Sequence, residues 1–293
     1  MKKILKKSVL VTLIAMAFML PNVSASPYYT NLKGVEMTQE GYEKMSSIFS
    51  EKRVSILTQD LYNKYIDAEI ISSEALYQKV KTDKDGNTIE EYITEEEYAN
   101  SPEAEFLCEN DTNNTRSSDY AYIETSYKRL AVDLADFGNN HFVLTGELTW
   151  KKVPACRSYD VFAFRTNHMS HSNVYGIQTY FIGNAYTDIS YNSSSAGYKN
   201  DTNGAGFSMN LKDGNTITGY DMILLADLAI SNFNVSTAHV YTTYQHAISS
   251  LTRAQSMSYT FGVGGLGDVL LFSSTNISQK YDDMAGIHLS TPV

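Results

Sequence analysis

Acidic side chains in the strand-like part of this sequence are the first residues whose chemistry could define a function. Glycoside hydrolysis needs two carboxylates on opposite sides of a cleft. The sequence places Asp133, Glu147, Asp221 and Asp227 in segments that alternate with a period of two. The spacing along the sequence does not show which of these acids would lie opposite each other, because the partners belong to different strands. Solvated strand faces also carry such acids routinely. A secreted hydrolase is therefore one open alternative.

The closest pair of histidines is His168 and His171. In a loop both imidazoles could reach one metal ion, whereas residues three apart on a strand face opposite sides. A catalytic zinc site needs a third protein ligand. The other histidines are scattered along the chain: His141, His239, His246 and His288. We therefore predict no metal site, and polar loop histidines are the simpler interpretation of His168 and His171.

Three motifs match known functional loops only in part. Residues 262–267 have the letters of a dinucleotide fingerprint, but the sequence after them continues as an apolar strand rather than a helix. In residues 83–87 the glycine comes too early for a calcium loop, and position twelve is Thr94 instead of Glu. Residues 206–210 lack the second glycine of a nucleophile elbow. We predict turns at the first two segments and no cofactor.

Cys108 and Cys156 are the two cysteines of the chain. In an exported protein two cysteines predict one disulfide bond. The chain-entropy model gives a crosslink over this separation about 4 kcal/mol of stabilisation. A free catalytic cysteine acting with a distant histidine is the alternative.

The N-terminal residues predict export. Four lysines within residues 2–7 precede an uncharged apolar run at residues 8–20, and Val23, Ser24 and Ala25 are suitable for cleavage after Ala25. The run is shorter than the roughly 20 residues of a membrane span, and no second long apolar run follows, so we predict a secreted protein without a transmembrane helix. Cleavage removes four lysines and no acid, which changes the net charge from −10 to −14. Such an acidic chain argues against a nucleic-acid partner.

The elements that must position these residues change character along the chain. Residues 26–115 predict a small α+β region, with short helices capped by Thr38 and Thr58 and a hairpin around residues 83–87. The polar residues 109–119 mark the predicted boundary. In residues 116–293 apolar and polar side chains alternate between turns rich in Gly, Asn and Ser, which predicts an antiparallel β-sandwich. The fold class is mainly β.

The segment Gly34-Val35-Glu36-Met37-Thr38, the Tyr42 that follows and the hairpin around Asp85-Gly86-Asn87 resemble exported, largely uncharacterised proteins of Gram-positive bacteria. Those proteins have a short helical segment and a hairpin ahead of a β-rich region. The resemblance covers about the first third of the mature chain and implies no activity.

Tyrosine is abundant, with 22 residues against one tryptophan. Aromatic faces on rigid strands can stack on sugars or anchor proteins. Together with the polar loops at residues 167–173 and 192–203 and no complete catalytic set, this predicts a secreted non-enzymatic module that binds a surface glycan or protein. A secreted hydrolase and a β-pore-forming protein are the alternatives, since alternating residues 214–230 could line a barrel. Nothing in the pattern specifies an oligomeric state.

Overall fold

The computed structural model describes residues 27–82, 88–101, 124–214, 216–263, 269–282, 284 and 286–293. Two antiparallel sheets pack face to face, and a helical layer covers the outer face of the larger sheet. The prediction of a mainly β fold, an antiparallel sandwich preceded by a small α+β region, is confirmed. The predicted signal segment at residues 1–25, the turn at residues 83–87, Cys108 and the boundary at residues 109–119 lie outside the described residues.

The helices and strands have the following bounds. The helices are α1 (Gln39–Ile48), α2 (Glu51–Ser55), α3 (Gln59–Ile66), α4 (Glu95–Asn100), α5 (Arg253–Ser256) and α6 (Thr275–Ser278). The first eight strands are β1 (Tyr29–Thr30), β2 (Glu36–Met37), β3 (Glu69–Thr82), β4 (Thr88–Tyr92), β5 (Glu124–Asp136), β6 (Phe142–Trp150), β7 (Tyr159–Asn167) and β8 (Met169–Ile182). The remaining strands are β9 (Ala185–Tyr191), β10 (Tyr198–Asn200), β11 (Gly204–Asn210), β12 (Gly219–Ile230), β13 (Thr237–Gln245), β14 (Tyr259–Phe261), β15 (Leu270–Phe272) and β16 (Ile287–Pro292).

The larger sheet has the strand order β4-β3-β5-β6-β12-β8-β9, and the smaller sheet has the order β10-β11-β7-β13-β16. All neighbouring strands in both sheets are antiparallel. Strands β3 and β4 come from the N-terminal region and join the larger sheet through β5. The α+β region and the sandwich therefore share one sheet.

The main core lies between the two sheets, where period-two alternation places apolar side chains. Leu144, Leu148 and Trp150 of β6 are fully buried there, and Phe162 and Phe207 of the smaller sheet lie in the same cluster. Burying a large apolar side chain contributes about 1.5–3 kcal/mol relative to exposure, so this alternation stabilises the sandwich.

The helical layer packs on the outer face of the larger sheet. Thr38 caps α1 by accepting a hydrogen bond from the backbone N–H of Gly41 at 3.1 Å. The cap directs Met45 and Ile48 inward, into one cluster with Val143 and Ile223 of the sheet. The predicted caps at Thr38 and Thr58 are confirmed.

A third apolar cluster covers part of the outer face of the smaller sheet. It joins Tyr259 and Phe261 of β14 and Leu270 of β15 to Val161 and Ala163 of β7. The outer face of this sheet is therefore covered over β7 and stays partly exposed at the β13–β16 side. Among the described helices, none is long and apolar enough to cross a bilayer.

Candidate binding site

A row of polar residues crosses the outer face of the larger sheet. The backbone register places six residues from six strands in this row: Tyr77, Arg129, Thr149, Asp221, Thr179 and Asp188. Helix α2 covers its centre. Arg53 of α2 donates through Nε to Asp221 Oδ1 at 2.8 Å and through Nη2 to Thr179 Oγ1 at 3.1 Å.

Glu147 lies next to this row on β6. The backbone N–H of Ser50 lies 2.8 and 3.0 Å from its two carboxylate oxygens, and Arg129 donates to it at 2.9 Å. Burial, followed by the charge of Asp221, raises the pKa of Glu147 to about 8, although Arg129 and Arg53 oppose this shift. Two neighbouring carboxylates, one with a raised pKa, are the arrangement that a hydrolase would need.

These two carboxylates have no open path to a substrate in this arrangement. Glu147 is 1 %, Asp221 0 % and Arg53 2 % exposed. A glycosidase needs both carboxyl groups beside the scissile bond. Because α2 covers the pair, the geometry fits a polar contact between helix and sheet.

The other two acids named from the sequence lie elsewhere. Asp227 binds Lys64 at 3.2 Å and accepts from Asn173 at 2.8 Å. Asp133 lies on β5 opposite Thr145, and burial raises its pKa to about 6. The four acids do not form one site.

A second buried polar network lies at one end of the smaller sheet. Asp160 accepts from the Tyr244 hydroxyl and from the Ala247 backbone N–H, the latter at 2.8 Å, and lies 3.0 Å from His246 Nδ1. Burial and the charge of Asp160 raise the pKa of Tyr244 well above its ordinary value. Because each of these residues is buried, the network positions β13 rather than a substrate.

The structure separates the two candidate metal ligands. His168 follows β7 with a left-handed φ of 67°, and its Nδ1 lies 3.4 Å from Asn232 Nδ2. His171 lies on β8, edge-on to Phe164 of the core, and its Nε2 lies 2.6 Å from Asn200 Oδ1. The described residues contain no group of three or more His, Cys, Asp or Glu arranged to hold a metal ion.

His171 instead belongs to a polar and aromatic cluster where the edges of the two sheets meet. We call it the rim cluster: His171, Tyr191, Tyr198 and Asn200. Strand β9 is an edge of the larger sheet and β10 is an edge of the smaller one. The rings of Tyr191 and Tyr198 contact Phe207, with centroid distances of 5.8 and 5.2 Å, and both tyrosines are only half-buried.

The local sequence explains how these tyrosines are placed. Tyr191 lies opposite Gly176, where a Cβ would lie 2.8 Å from Met209 Cε and 3.0 Å from Phe207 Cδ2. Glycine therefore lets Phe207 pack beneath the tyrosine rings. After Tyr191 the chain turns, with Asn192 Oδ1 accepting from Ser194 and the Tyr198 N–H donating to the Ser195 carbonyl at 2.9 Å.

The rim cluster can combine ring contacts with hydrogen bonds. Burial raises the pKa of Tyr191 to about 12, so its hydroxyl stays neutral; it accepts a hydrogen bond from the Asn210 backbone and keeps its own proton to donate. His171 Nδ1 is buried, without a hydrogen-bond partner among the described residues. Partly exposed rings beside amide and imidazole groups can bind a ligand with an apolar face and hydroxyl edges.

Cys156 is half-buried, and burial, aided by the charge of Asp160, raises its thiol pKa to about 11. An activated nucleophilic cysteine has a lowered pKa instead. Since Cys108 lies outside the described residues, the disulfide stays a prediction.

Sequence reasoning identified a loop at residues 192–203 but missed strand β9, which ends just before it, and strand β10, which lies within it. These strands are short and polar, so their alternation is weak. The signal that could have identified the cluster was the placement of Tyr191 and Tyr198 at the two ends of a Ser-rich turn.

The chain matches no protein-family model and no curated protein. A solved structure titled "Pore forming protein" aligns with 61 % of this chain and 83 % of its own, at 11 % identity and a TM-score of 0.22. A similarity at this level carries no argument about function.

Proposed function

We propose that the protein is an exported, non-enzymatic carbohydrate-binding module whose rim cluster contacts the sugar. The observation that carries this proposal is the pair of partly exposed rings, Tyr191 and Tyr198, held on Phe207 where the two sheet edges meet. The apolar C–H face of a sugar can pack on such rings at low entropic cost, because each ring is already fixed by its neighbours.

The polar members of the cluster supply orientation. Asn200 and His171 come from different sheets and are joined by their 2.6 Å contact. Sugar hydroxyls both donate and accept, so they are suited to amide, imidazole and phenol groups. The Ser-rich turn that follows Tyr191 extends this polar surface.

The two alternative functions receive less support from the geometry. The buried Glu147 and Asp221 lie under α2, which disfavours a hydrolase. The alternating segment proposed for a pore corresponds largely to β12, which lies in the centre of the larger sheet between β6 and β8. To enter a membrane, β12 would have to break both of these ladders.

A glycan array probed with the mature protein tests the proposal. We expect binding to a defined class of glycans, and we expect Tyr191→Ala and Tyr198→Ala each to weaken it by more than about tenfold. The matched control is Tyr92→Ala, because Tyr92 is 49 % exposed on β4, at the opposite edge of the same sheet. Unchanged binding in both rim variants would refute the site. Capture of a surface protein with no glycan bound would favour a protein partner instead.

Export is tested separately by the N-terminus of the secreted protein. Cleavage after Ala25 gives a mature chain that begins at Ser26. Mass spectrometry of the culture medium should find this terminus. Retention of the intact chain inside the producing cell would contradict export.

A further inference from the structure

Three histidines that are scattered in the sequence come together on the outer face of the smaller sheet. His239 lies on β13 and His288 on β16, next to core residues that face the opposite way, Val240 and Leu289. His168 directly follows Asn167, which pairs with His239 between β7 and β13. This surface lies on the other side of the sheet from the rim cluster.

The two strand histidines converge through specific atoms. His239 Nδ1 and His288 Nε2 are 3.0 Å apart. Two imidazole nitrogens that bind one metal ion through bonds of about 2.0–2.1 Å lie roughly 3 Å apart. The backbone register permits this approach because His239 pairs with Ser290 and Tyr241 pairs with His288, which makes the histidines diagonal neighbours on one face.

A stack of side chains holds the ring of His288 in place. Its ring lies on Tyr241 at a centroid distance of 4.5 Å and an interplanar angle of 12°. The guanidinium carbon of Arg165 lies 3.7 Å from the centre of the Tyr241 ring. Tyr241 and Arg165 are buried while both histidines are half-buried, so the nitrogens have a fixed support and an approach from solvent.

We propose that His239 and His288 bind one divalent transition-metal ion, of the zinc or copper class, through Nδ1 and Nε2 respectively, with water in the open positions. Imidazole is a preferred ligand of both metals. Open positions would distinguish such a site from a closed structural zinc site, which has four protein ligands.

Burial, then His288, His168 and Arg165, lower the pKa of His239. A neutral imidazole ring is the form that binds a metal ion. The positive charge of Arg165 opposes a bound cation and weakens the affinity.

Calorimetric titration of the metal-free mature protein with Zn²⁺ and with Cu²⁺ at neutral pH tests this site. We expect one equivalent to bind, and we expect His239→Gln and His288→Gln each to weaken binding by more than about tenfold. The matched control is His141→Gln, because His141 is 48 % exposed at the turn between β5 and β6. Thermal unfolding without metal verifies that each variant is folded.

Electron paramagnetic resonance of the Cu²⁺ complex counts the nitrogen ligands directly. Coupling to two imidazole nitrogens that is lost in His239→Gln supports the assignment. Absence of saturable binding, or equal affinity in wild type and both variants, would mean that the rings are joined by a simple hydrogen bond. Loss of binding in His168→Gln alone would overturn the assignment to His239 and His288.

Discussion

Arg53 of α2 donates through Nε to Asp221 Oδ1 of β12 at 2.8 Å, and both residues are fully buried. Ser50, at the start of the same helix, donates to Glu147 and to Asp221. The helical layer is thus held to the larger sheet by charged groups as well as by apolar packing. A buried pair of this kind need not add net stability, but loss of one partner leaves an uncompensated charge.

Replacement of Arg53 should therefore destabilise the protein strongly. We expect Arg53→Met to lower the free energy of unfolding by about 3–5 kcal/mol, because Asp221 stays buried without its main partner. The double variant Arg53→Met/Asp221→Leu should recover a large part of this loss. Urea denaturation measures both.

The matched control for this experiment is Lys33→Met, which removes the half-exposed pair of Lys33 and Asp188 at 3.3 Å. An exposed pair contributes about 0–1 kcal/mol, so the control should remain close to wild type. A double variant no more stable than Arg53→Met would show that charge burial is not the cause.

Glu147 should make stability depend on pH in the direction opposite to a typical carboxylate. Its pKa rises from 4.5 to about 8 on folding, mainly through burial. The stability that depends on its protonation is fully present below pH 4.5 and is lost as pH rises toward 8. Glu147→Gln cannot ionise and should lose less stability over this range.

The measurement is the melting temperature of wild type and Glu147→Gln across that pH range. Subtracting the two melting temperatures separates the effect of Glu147 from that of groups with the opposite trend. Asp227 is such a group, because Asn173 and Lys64 lower its pKa against the effect of burial. A difference in melting temperature that stays constant with pH would contradict the raised pKa of Glu147.

The sequence predicted the sandwich because its central strands follow a two-residue period without interruption. In β12, Met222 and Leu224 face one side while Asp221 and Ile223 face the other. It did not predict the pairing of Arg53 with Asp221, since the chain between them spans most of both sheets. The approach of His239 to His288 was missed for a related reason, because β16 is short and its register with β13 follows from tertiary packing.

The Cys156 thiol should react slowly with an alkylating reagent when Cys108, its predicted disulfide partner, is replaced. In the exported protein we expect a disulfide between Cys108 and Cys156, detected by intact mass with and without reduction. In Cys108→Ser, burial holds the pKa of the Cys156 thiol at about 11, so little thiolate forms at neutral pH.

Iodoacetamide labelling of folded Cys108→Ser measures this reactivity. The rate should be well below that of the same variant in denaturant and should increase as pH approaches 11. Fast labelling at neutral pH would indicate an activated thiol and revive the catalytic alternative. Two free thiols in the secreted wild type would refute the disulfide.

Gly176 should control the rim cluster without belonging to it. A Cβ at this position would lie 2.8 Å from Met209 Cε and 3.0 Å from Phe207 Cδ2, so Gly176→Ala requires the end of Met209 to move and the Phe207 ring under Tyr191 and Tyr198 to shift by a few tenths of an ångström. Overpacking of a buried position costs about 1–3 kcal/mol. We expect this loss of stability in urea denaturation. We also expect weaker glycan binding at temperatures where the variant is fully folded, so that the change in stability does not account for it.

Gly219→Ala is the matched control, because a Cβ there would meet its nearest neighbour, the Trp150 carbonyl oxygen, at an ordinary 3.6 Å. Full glycan affinity in a destabilised Gly176→Ala would show that the sugar does not contact the two tyrosine rings.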